Sequence, residues 1–504
     1  MNNGKICVSV CAETADELFE QIKRAETLAD VIEIRFDCLR KNEIKNAVEN
    51  LPKTAKQYLA TFRPKEQGGK RELILSERLK FWEFFFWANK KKNFWVDFEF
   101  DLNSIVKPEK HFTIISTHEF SDSSSVNSFV IYEVLANANT ANIKIAVQTD
   151  DIADSIAAWK LLERAKRDNK NIIPIAMGEA GKWTRILGLA HGAFMTYAAL
   201  ESGKETASGQ ITAQDLIKTY RVKELDEQSE IYGIVGNPVS HSLSPDMHNA
   251  AFRFHNLNAV YIPFEVKNLD EFVAKFIREE IREIELNFKG FSVTIPYKQA
   301  IIKHLNSIDE AAKEIGAVNT VKIVGGKLHG YNTDAQGFIE PLKNIYGDLK
   351  NAKVAVLGAG GAARAAIYAL KKESAKVAVF ARNIEKARNL AEEFEIEFAE
   401  LTNQHTALDA YDIIVNATPL GTKGEMENDT PATAEQLKNA HLVYDLIYNP
   451  FETRFLREAK SVGVPTIGGL AMLTAQAMAQ SKVWTELEAP MKEMSRAALR
   501  KLQS

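Results

Sequence analysis

Lys144 stands inside an apolar run, "ANIKIAVQTD" (141–150), where Ile143, Ile145 and Val147 mark one face of a strand and leave Lys144 and Ala146 on the other. A lysine desolvated among other cations has a lowered pKa, so part of it is neutral amine. A neutral amine can attack a ketone, and the protonated imine that results loosens a proton on the adjacent carbon. Partners for this chemistry close other short apolar runs. Glu33 and Arg35 are two apart in "IEIRFD", Arg63 ends "ATFR", Asp97 and Glu99 alternate in "WVDFEF", and His118 ends "IISTH". A histidine can take the loosened proton and return it to a leaving hydroxyl. Glu99 could orient that imidazole, and arginine forks suit a substrate carboxylate. Gathering so many charged groups in one cavity is costly without ligands or mutual pairing. The same residues also fit a bland reading, a buried lysine–carboxylate pair that only holds the fold together.

A second constellation lies further along. "GAGGAA" (358–363) has the G-x-G-x-x-A pattern, placed after "KVAVL" and before a helix-like stretch. Its glycines let backbone N–H groups approach a pyrophosphate at a helix N-terminus. At the end of the next strand an NAD site wants an acid for the ribose hydroxyl. This chain has Ala381, Arg382, Asn383 and then Lys386, which favours the 2′-phosphate of NADP. Upstream, "SLS" (242–244) offers two hydroxyls before Pro245, with Ser244 a candidate helix N-cap. "SVTIPYK" ends with Thr294 and Lys298, "GAVNT" carries Asn319, and "GYNTDAQGF" carries Asn332 and Asp334. A lysine beside a carboxylate can protonate the alkoxide formed when hydride reduces a ketone.

These residues need a scaffold. Strand-like runs fall at 5–10, 31–36, 57–62, 93–100, 111–117, 142–147, 171–177 and 193–199, most of them separated by a helix-length segment. That alternation suggests a (β/α)8 barrel with its chemistry at the C-terminal mouth. The aromatic-rich stretch 81–95 reads as a helix pressed on the barrel wall, followed by solvated lysines at 90–92. "RVKELDEQSE" (221–230) lacks apolar periodicity and reads as a linker. A second α/β region with a dinucleotide-binding unit follows it.

Length and composition agree. A chain of 504 residues exceeds one hydrophobic core. Its net charge of −4 argues against a polyanion-binding surface, so small molecules are the expected partners, with no nucleic acid, membrane or obligate protein partner. Cys7, Cys11 and Cys38 form no zinc or disulfide pattern and are expected to be buried free thiols. No metal is expected. No apolar run approaches about 18 residues and no signal-peptide core is evident, so a cytoplasmic protein is expected.

Residues 1–222 resemble type I 3-dehydroquinate dehydratase through "EIRFD", "TFRPKEQGG", "VDFEF", "STHEF", "NIKIAV", "MGEAGKWTRILG" and "TASGQI", in the family's order. The resemblance implies that Lys144 forms the Schiff base and that His118 is the general acid/base, with Glu99 behind it. It implies substrate contacts from Ser9, Glu33, Arg35, Arg63, Arg185, Thr206 and Gln210. Ser208 stands where many relatives carry proline. The remainder resembles shikimate dehydrogenase, with a substrate-binding domain over 229–335 and a Rossmann domain over 336–490. "GNPVSHSLSPDMHNAAF", "FSVTIPYK", "GAVNT", "NTDAQGF", "GAGGAAR", "NATPLG", "YDLIYNP" and "GGLAMLTAQA" carry that likeness. It implies Ser242, Ser244, Thr294, Asn319, Tyr448 and Gln476 around the substrate and Lys298 with Asp334 as catalytic pair. Gly358, Ala359, Gly360, Gly361, Ala362, Ala381, Arg382, Asn383, Lys386, Leu446 and Gly469 would hold NADP. Ala381 replaces the family's usual asparagine.

Together the two likenesses imply a bifunctional shikimate-pathway enzyme that dehydrates 3-dehydroquinate to 3-dehydroshikimate and reduces that product to shikimate with NADPH. The rivals are a second half of catabolic quinate/shikimate preference, or a catalytically dead metabolite sensor.

Overall fold

Eight of the apolar runs become parallel strands in the computed structural model, which describes residues 2, 4–90, 93–102, 105–106, 113–120, 124–137, 142–402 and 408–503. They are β1 (Ile6–Val10), β2 (Val31–Arg35), β3 (Gln57–Thr61), β4 (Phe94–Glu99), β5 (Thr113–Glu119), β6 (Asn142–Gln148), β7 (Asn171–Met177) and β8 (Thr196–Ala199). Their order is β7-β6-β5-β4-β3-β2-β1-β8, with β9 (Ile211–Thr212) beside β8. Parallel neighbours need crossovers, and helices such as Ala15–Ala25, Leu75–Ala88 and Ile156–Arg167 supply them. The sheet curls on itself. Phe194 N–H donates to Ile172 O across 2.8 Å, and Cys7, Leu59, Ile114, Ala146, Ile173 and Tyr197 share one interior cluster. This is the barrel architecture expected from the alternation.

The helix Ala15–Ala25 shows why the crossovers form. Thr14 caps Glu17 N–H, acids occupy the first turn and Lys23 and Arg24 the last. Leu18 and Ile22 recur at helical spacing and are fully buried, each worth about 1.5–3 kcal/mol on burial. Leu18→Ala would leave a cavity costing about 2–5 kcal/mol. In Leu75–Ala88, Phe81, Trp82 and Phe85 press on the wall as expected, whereas Phe86 and Trp87 remain exposed. Lys90 is exposed, and Lys91 and Lys92 lie outside the described residues, as do positions 111 and 112 of the fifth run.

Two expectations are corrected. Cys11 and Cys38 are joined in a disulfide, and only Cys7 is a free, buried thiol. β1 and β2 are sheet neighbours, so the turns leaving them bring the two Cα atoms to 5.5 Å, a proximity invisible in the spacing. The segment 221–230 is packed down instead of tethering loosely. Val222 and Leu225 are buried, and Arg221 Nη2 donates to Ala259 O across 2.9 Å.

The chain forms two compact units, 1–241 with 258–288, and 242–257 with 289–504. In the first, β10 (Glu230–Gly236) pairs in parallel with β11 (Ala259–Glu265). In the second, β12 (Gly290–Val293), β14 (Thr320–Val324) and β15 (Lys327–Tyr331) run antiparallel, and β13 (Ser307–Ile308) lies beside β15. A fully parallel sheet follows, β16 (Lys353–Leu357), β17 (Lys376–Ala381), β18 (Glu397–Glu400), β19 (Ile413–Asn416), β20 (Leu442–Asp445) and β21 (Thr466–Ile467), in the order β18-β17-β16-β19-β20-β21. Along β16, Val354 and Val356 enter one core cluster and Ala355 and Leu357 the opposite one. A strand buried on both faces explains its uninterrupted apolar run. No helix among the described residues is long and apolar enough to cross a membrane.

Candidate active sites

Successive strands aim alternate side chains into the barrel, so Ser9, Glu33, Arg35, Asp97 and Lys144 all face inward and are buried. One cavity is lined by Lys144, His118, Arg35, Arg63, Arg185, Glu33, Thr206 and Gln210. Lys144 Nζ donates to Asp97 Oδ2 at 3.3 Å. Arg63 dominates the centre: Nη2 donates to the same Asp97 Oδ2 at 2.6 Å, and Nη1 lies 2.9 Å from His118 Nδ1. Glu33 accepts from Ser9 Oγ and, at 3.0 Å, from Thr61 Oγ1. Asp37 grips Arg35 Nε and Nη2 at 2.9 and 2.8 Å. Thr206 and Gln210 bond to each other.

The electrostatics follow from burial and this crowd of cations. Burial pulls Lys144 below its ordinary pKa, Arg63 adds to the pull, and Asp97 opposes it. Burial and then Arg63, Lys144 and Arg35 push His118 well below the usual imidazole range, so the ring is neutral. A guanidinium can only donate, so His118 Nδ1 accepts and the ring proton sits on Nε2. Burial alone lowers Arg185 to about 10. Its Nη2 reaches Ser208 O at 3.3 Å, while Nε and Nη1 are buried without a partner. Unsatisfied donors on a buried cation call for an anion in the cavity.

Glu99 does not take the expected place behind His118. Its Oε1 has no hydrogen-bond partner, its Oε2 receives Arg78 Nη1 at 3.4 Å, and Arg63 occupies the imidazole's Nδ1. Burial raises Glu99 to about 7. The reason is competition: Arg63, two residues past the end of β3, is long enough to reach both Asp97 and the His118 Nδ1. Gln67 is a cavity residue that the spacing missed. It lines the cavity and its Oε1 accepts His118 N–H at 2.9 Å. A neutral amide after a strand carries no signal in the sequence. Asp97 was visible as an inward acid, yet its role as shared acceptor for Lys144, Arg63 and Ser116 was not.

In the second unit Lys298 Nζ donates to Asp334 Oδ2 at 2.5 Å, and Asn319 Nδ2 donates to Asp334 Oδ1 at 2.8 Å. Asn332 Oδ1 accepts Asp334 N–H and holds the start of the helix Asp334–Tyr346. The carboxylate is therefore fixed from two sides and Lys298 is only partly exposed. Thr294 O accepts Tyr297 N–H in the turn leading to Lys298. Tyr448 packs beside Leu243 and Met247, and Gln476 is buried with Nε2 on Leu473 O. Ser244 is not the N-cap. It is the first residue of the helix Ser244–Phe254, Leu243 holds the cap position, and Ser242 Oγ accepts Ser244 N–H at 3.2 Å. Pro245 tolerates a position one residue deeper because its missing N–H is still among the unpaired ones.

Of the expected cofactor residues, Gly358–Ala362 follow β16 at the switch point of the parallel sheet, between β16 and β19, where ligands bind in such folds. Gly358 has φ +117°, and a Cβ there would stand 2.6 Å from Ala417 O. Gly360 caps the helix Gly361–Lys372 with no side-chain hydrogen bond, and a Cβ on it would meet nothing within 4 Å. Free helix N–H groups facing open space suit a pyrophosphate. Lys298 Cδ lies 3.8 Å from where a Gly361 Cβ would be, so the lysine adjoins that helix start. Arg382 and Lys386 are exposed after β17, and Asn383 Oδ1 caps the next helix at Lys386 N–H. Gly469 approaches Leu446 O too closely for any side chain. Donor set and space fit NADP.

Known proteins agree with both geometries. The type I 3-dehydroquinase family model matches residues 6–227, the shikimate dehydrogenase substrate binding domain 234–321, and shikimate/quinate 5-dehydrogenase 340–446. A chloroplastic bifunctional 3-dehydroquinate dehydratase/shikimate dehydrogenase of Arabidopsis thaliana is 34% identical over 97% of this chain and 83% of its own. Shikimate dehydrogenase (NADP(+)) of Aquifex aeolicus is 42% identical over 53% of this chain and 95% of its own. A crystal structure of shikimate dehydrogenase in complex with NADP+ matches with a TM-score of 0.51 and 39% identity, over 56% of this chain and 98% of that one. The chain belongs to the bifunctional 3-dehydroquinate dehydratase/shikimate dehydrogenases, a lyase and an NADP-dependent oxidoreductase of the shikimate pathway in one polypeptide.

Proposed function

We propose that Lys144 is the nucleophile of the dehydratase and that His118 moves its protons. The neutral amine adds to the C3 ketone of 3-dehydroquinate, loss of water gives the imine, and one proton taken up there makes it a cationic iminium; the same proton is released when the iminium is finally hydrolysed to neutral lysine. The adjacent C–H proton then passes to His118, whose free lone pair in this tautomer is at Nδ1, so uptake proceeds as the Arg63 contact gives way. The electron pair forms an enamine, which expels the β-hydroxyl as water with that proton. Hydrolysis of the iminium consumes one water and releases 3-dehydroshikimate and free lysine, for a net loss of one water. Arg185 binds the substrate carboxylate with its unpartnered donors. The single observation that carries this reading is the lysine's place: buried, lowered in pKa and in one cavity with His118 and three arginines. Borohydride with dehydroquinate should add substrate mass to Lys144, and Lys144→Ala should abolish dehydration while NADPH-linked reduction persists. Unlabelled Lys144 would refute it.

In the second half, Gly358–Ala362 and Arg382 would hold NADPH, which would supply a hydride when bound. Lys298 is positioned to hand a proton to the reduced oxygen, and Asp334 holds and recharges it. Asn319 fixes Asp334 from its other oxygen. Residues 1–222 would form the dehydratase, 229–335 the reductase substrate domain and 336–490 the NADP domain. The cytoplasm is the setting proposed for both steps, where the Cys11–Cys38 pair would be held reduced; thiol counting on protein from fractionated cells, with or without prior reduction, tests it.

A further inference from the structure

Asp97 and Glu33 favour the charged form of Lys144 and Arg63 opposes it, and one further close neighbour is uncharged. Asp97 accepts a hydrogen bond from it at 3.3 Å, but the same oxygen is held more tightly by Arg63 at 2.6 Å, and Ser116 donates to the other oxygen. Glu33 is engaged by Ser9 and Thr61. The remaining neighbour is an aromatic face: Lys144 Nζ lies 4.1 Å from the ring centroid of Tyr197 on β8, beyond β7 in the closed barrel. Tyr197 is buried and lines the same cavity. Its hydroxyl has no partner. A buried orphan hydroxyl is a cost, so the ring and not the O–H group accounts for what this side chain does at the site.

We propose that the face of Tyr197 is a catalytic cation platform, stabilising the iminium nitrogen on Lys144. The inference rests on the reading of Lys144 as the imine-forming residue. An aromatic quadrupole attracts a nearby cation, more strongly where water is excluded. It differs from a second carboxylate in a way that matters here. Asp97 already favours the ammonium, and a second full negative charge within about 4–6 Å would favour it further and leave less neutral amine to attack. A ring face gives a smaller pull, so some neutral amine survives, yet the positive charge that appears with the iminium is still met. Asp97 and Tyr197 thus divide the work: the acid anchors the nitrogen in position, and the ring carries charge without competing for the proton.

The test uses the full-length chain with Tyr197→Leu, Tyr197→Phe and a graded series of fluorinated phenylalanines at position 197, which drain the ring's negative face while keeping its shape. Tyr197→Leu should lower dehydration kcat and the fraction of Lys144 trapped by borohydride by about tenfold, within the range of a desolvated cation–π contact. Its acidic limb in the pH profile should move to lower pH, because the ammonium also loses its support. Tyr197→Phe should recover what Tyr197→Leu loses, and each added fluorine should remove more of it. A far-ultraviolet circular dichroism spectrum and a urea midpoint matching the wild type report intact folding of the barrel. Equal trapping and kcat in the leucine, phenylalanine and fluorinated forms would overturn the platform while leaving the imine standing, and so would a phenylalanine form as impaired as leucine. An unlabelled wild-type lysine would instead remove the imine itself, and the platform with it.

Discussion

Arg185→Met should make the protein more stable and the dehydratase worse, two effects of opposite sign from one side chain. Arg185 is 2% exposed, makes one long hydrogen bond to Ser208 O and leaves Nε and Nη1 unpaired. Burial lowers its pKa from 12.5 to about 10. A depressed pKa on a base means that the folded state resists the charged form, and at pH 7 that penalty is present in full. A difference of about 2.5 units corresponds to about 3 kcal/mol. Methionine has similar length and no charge, so removing the cation should recover between about 1 and 3 kcal/mol, seen as a higher urea midpoint. The same donors are what a substrate carboxylate would meet. Losing charge-assisted hydrogen bonds of about 1.5–3 kcal/mol each predicts a fall of roughly 100-fold or more in kcat/KM for dehydroquinate. The dehydration rate is read from the absorbance of the conjugated product, and shikimate oxidation serves as the internal control. A variant that is less stable and keeps its KM would mean that Arg185 is a structural strut, and the argument from unpaired donors would fail.

Glu99 has its pKa raised by burial from 4.5 to about 7, so its stabilising effect is complete below pH 4.5 and is lost as pH rises to 7. Glu99→Gln should flatten that part of the stability–pH curve, by up to about 3 kcal/mol over the window. Lys298→Ala or Asp334→Asn should cut shikimate oxidation by about 10²–10⁴-fold in steady-state assays and spare dehydration. Arg382→Asp should weaken NADP far more than NAD in titrations, by roughly tenfold or more. Gly358→Ala should lower the melting point, because its φ of +117° and the nearby Ala417 O leave a Cβ no room. Gly360→Ala should melt like the wild type and bind NADP less well, since its Cβ would fill only the open space beside the helix start.

Much of both sites was legible because it depends on local direction. Glu33 with Arg35 and Asp97 with Glu99 are two apart on strands, so each pair had to share a face. Gly358 to Ala363 needed only a strand before and a helix after to become a pocket for phosphate. What failed were statements about partners. Glu99 was assigned to His118 on its inward direction, but direction does not say which of several reachable donors arrives. Arg63 holds the imidazole instead, 55 positions away in the chain. Ser244 was assigned to the cap one residue too late, and parity in the cysteine count hid the bond between Cys11 and Cys38.

The sequence by itself determined the repertoire: parallel strands joined by helices, which residues face inward, a phosphate-binding turn and the absence of an acid after β17. These follow from backbone geometry within a few residues. Only the tertiary structure decided that Lys144 shares Asp97 with Arg63, that Tyr197 of β8 lays its ring against that amine, and that Lys298 adjoins the start of the cofactor helix. The reason is physical. Sheet order and curl bring together groups far apart in the chain, and when several donors reach one acceptor the outcome turns on ångströms that no spacing encodes.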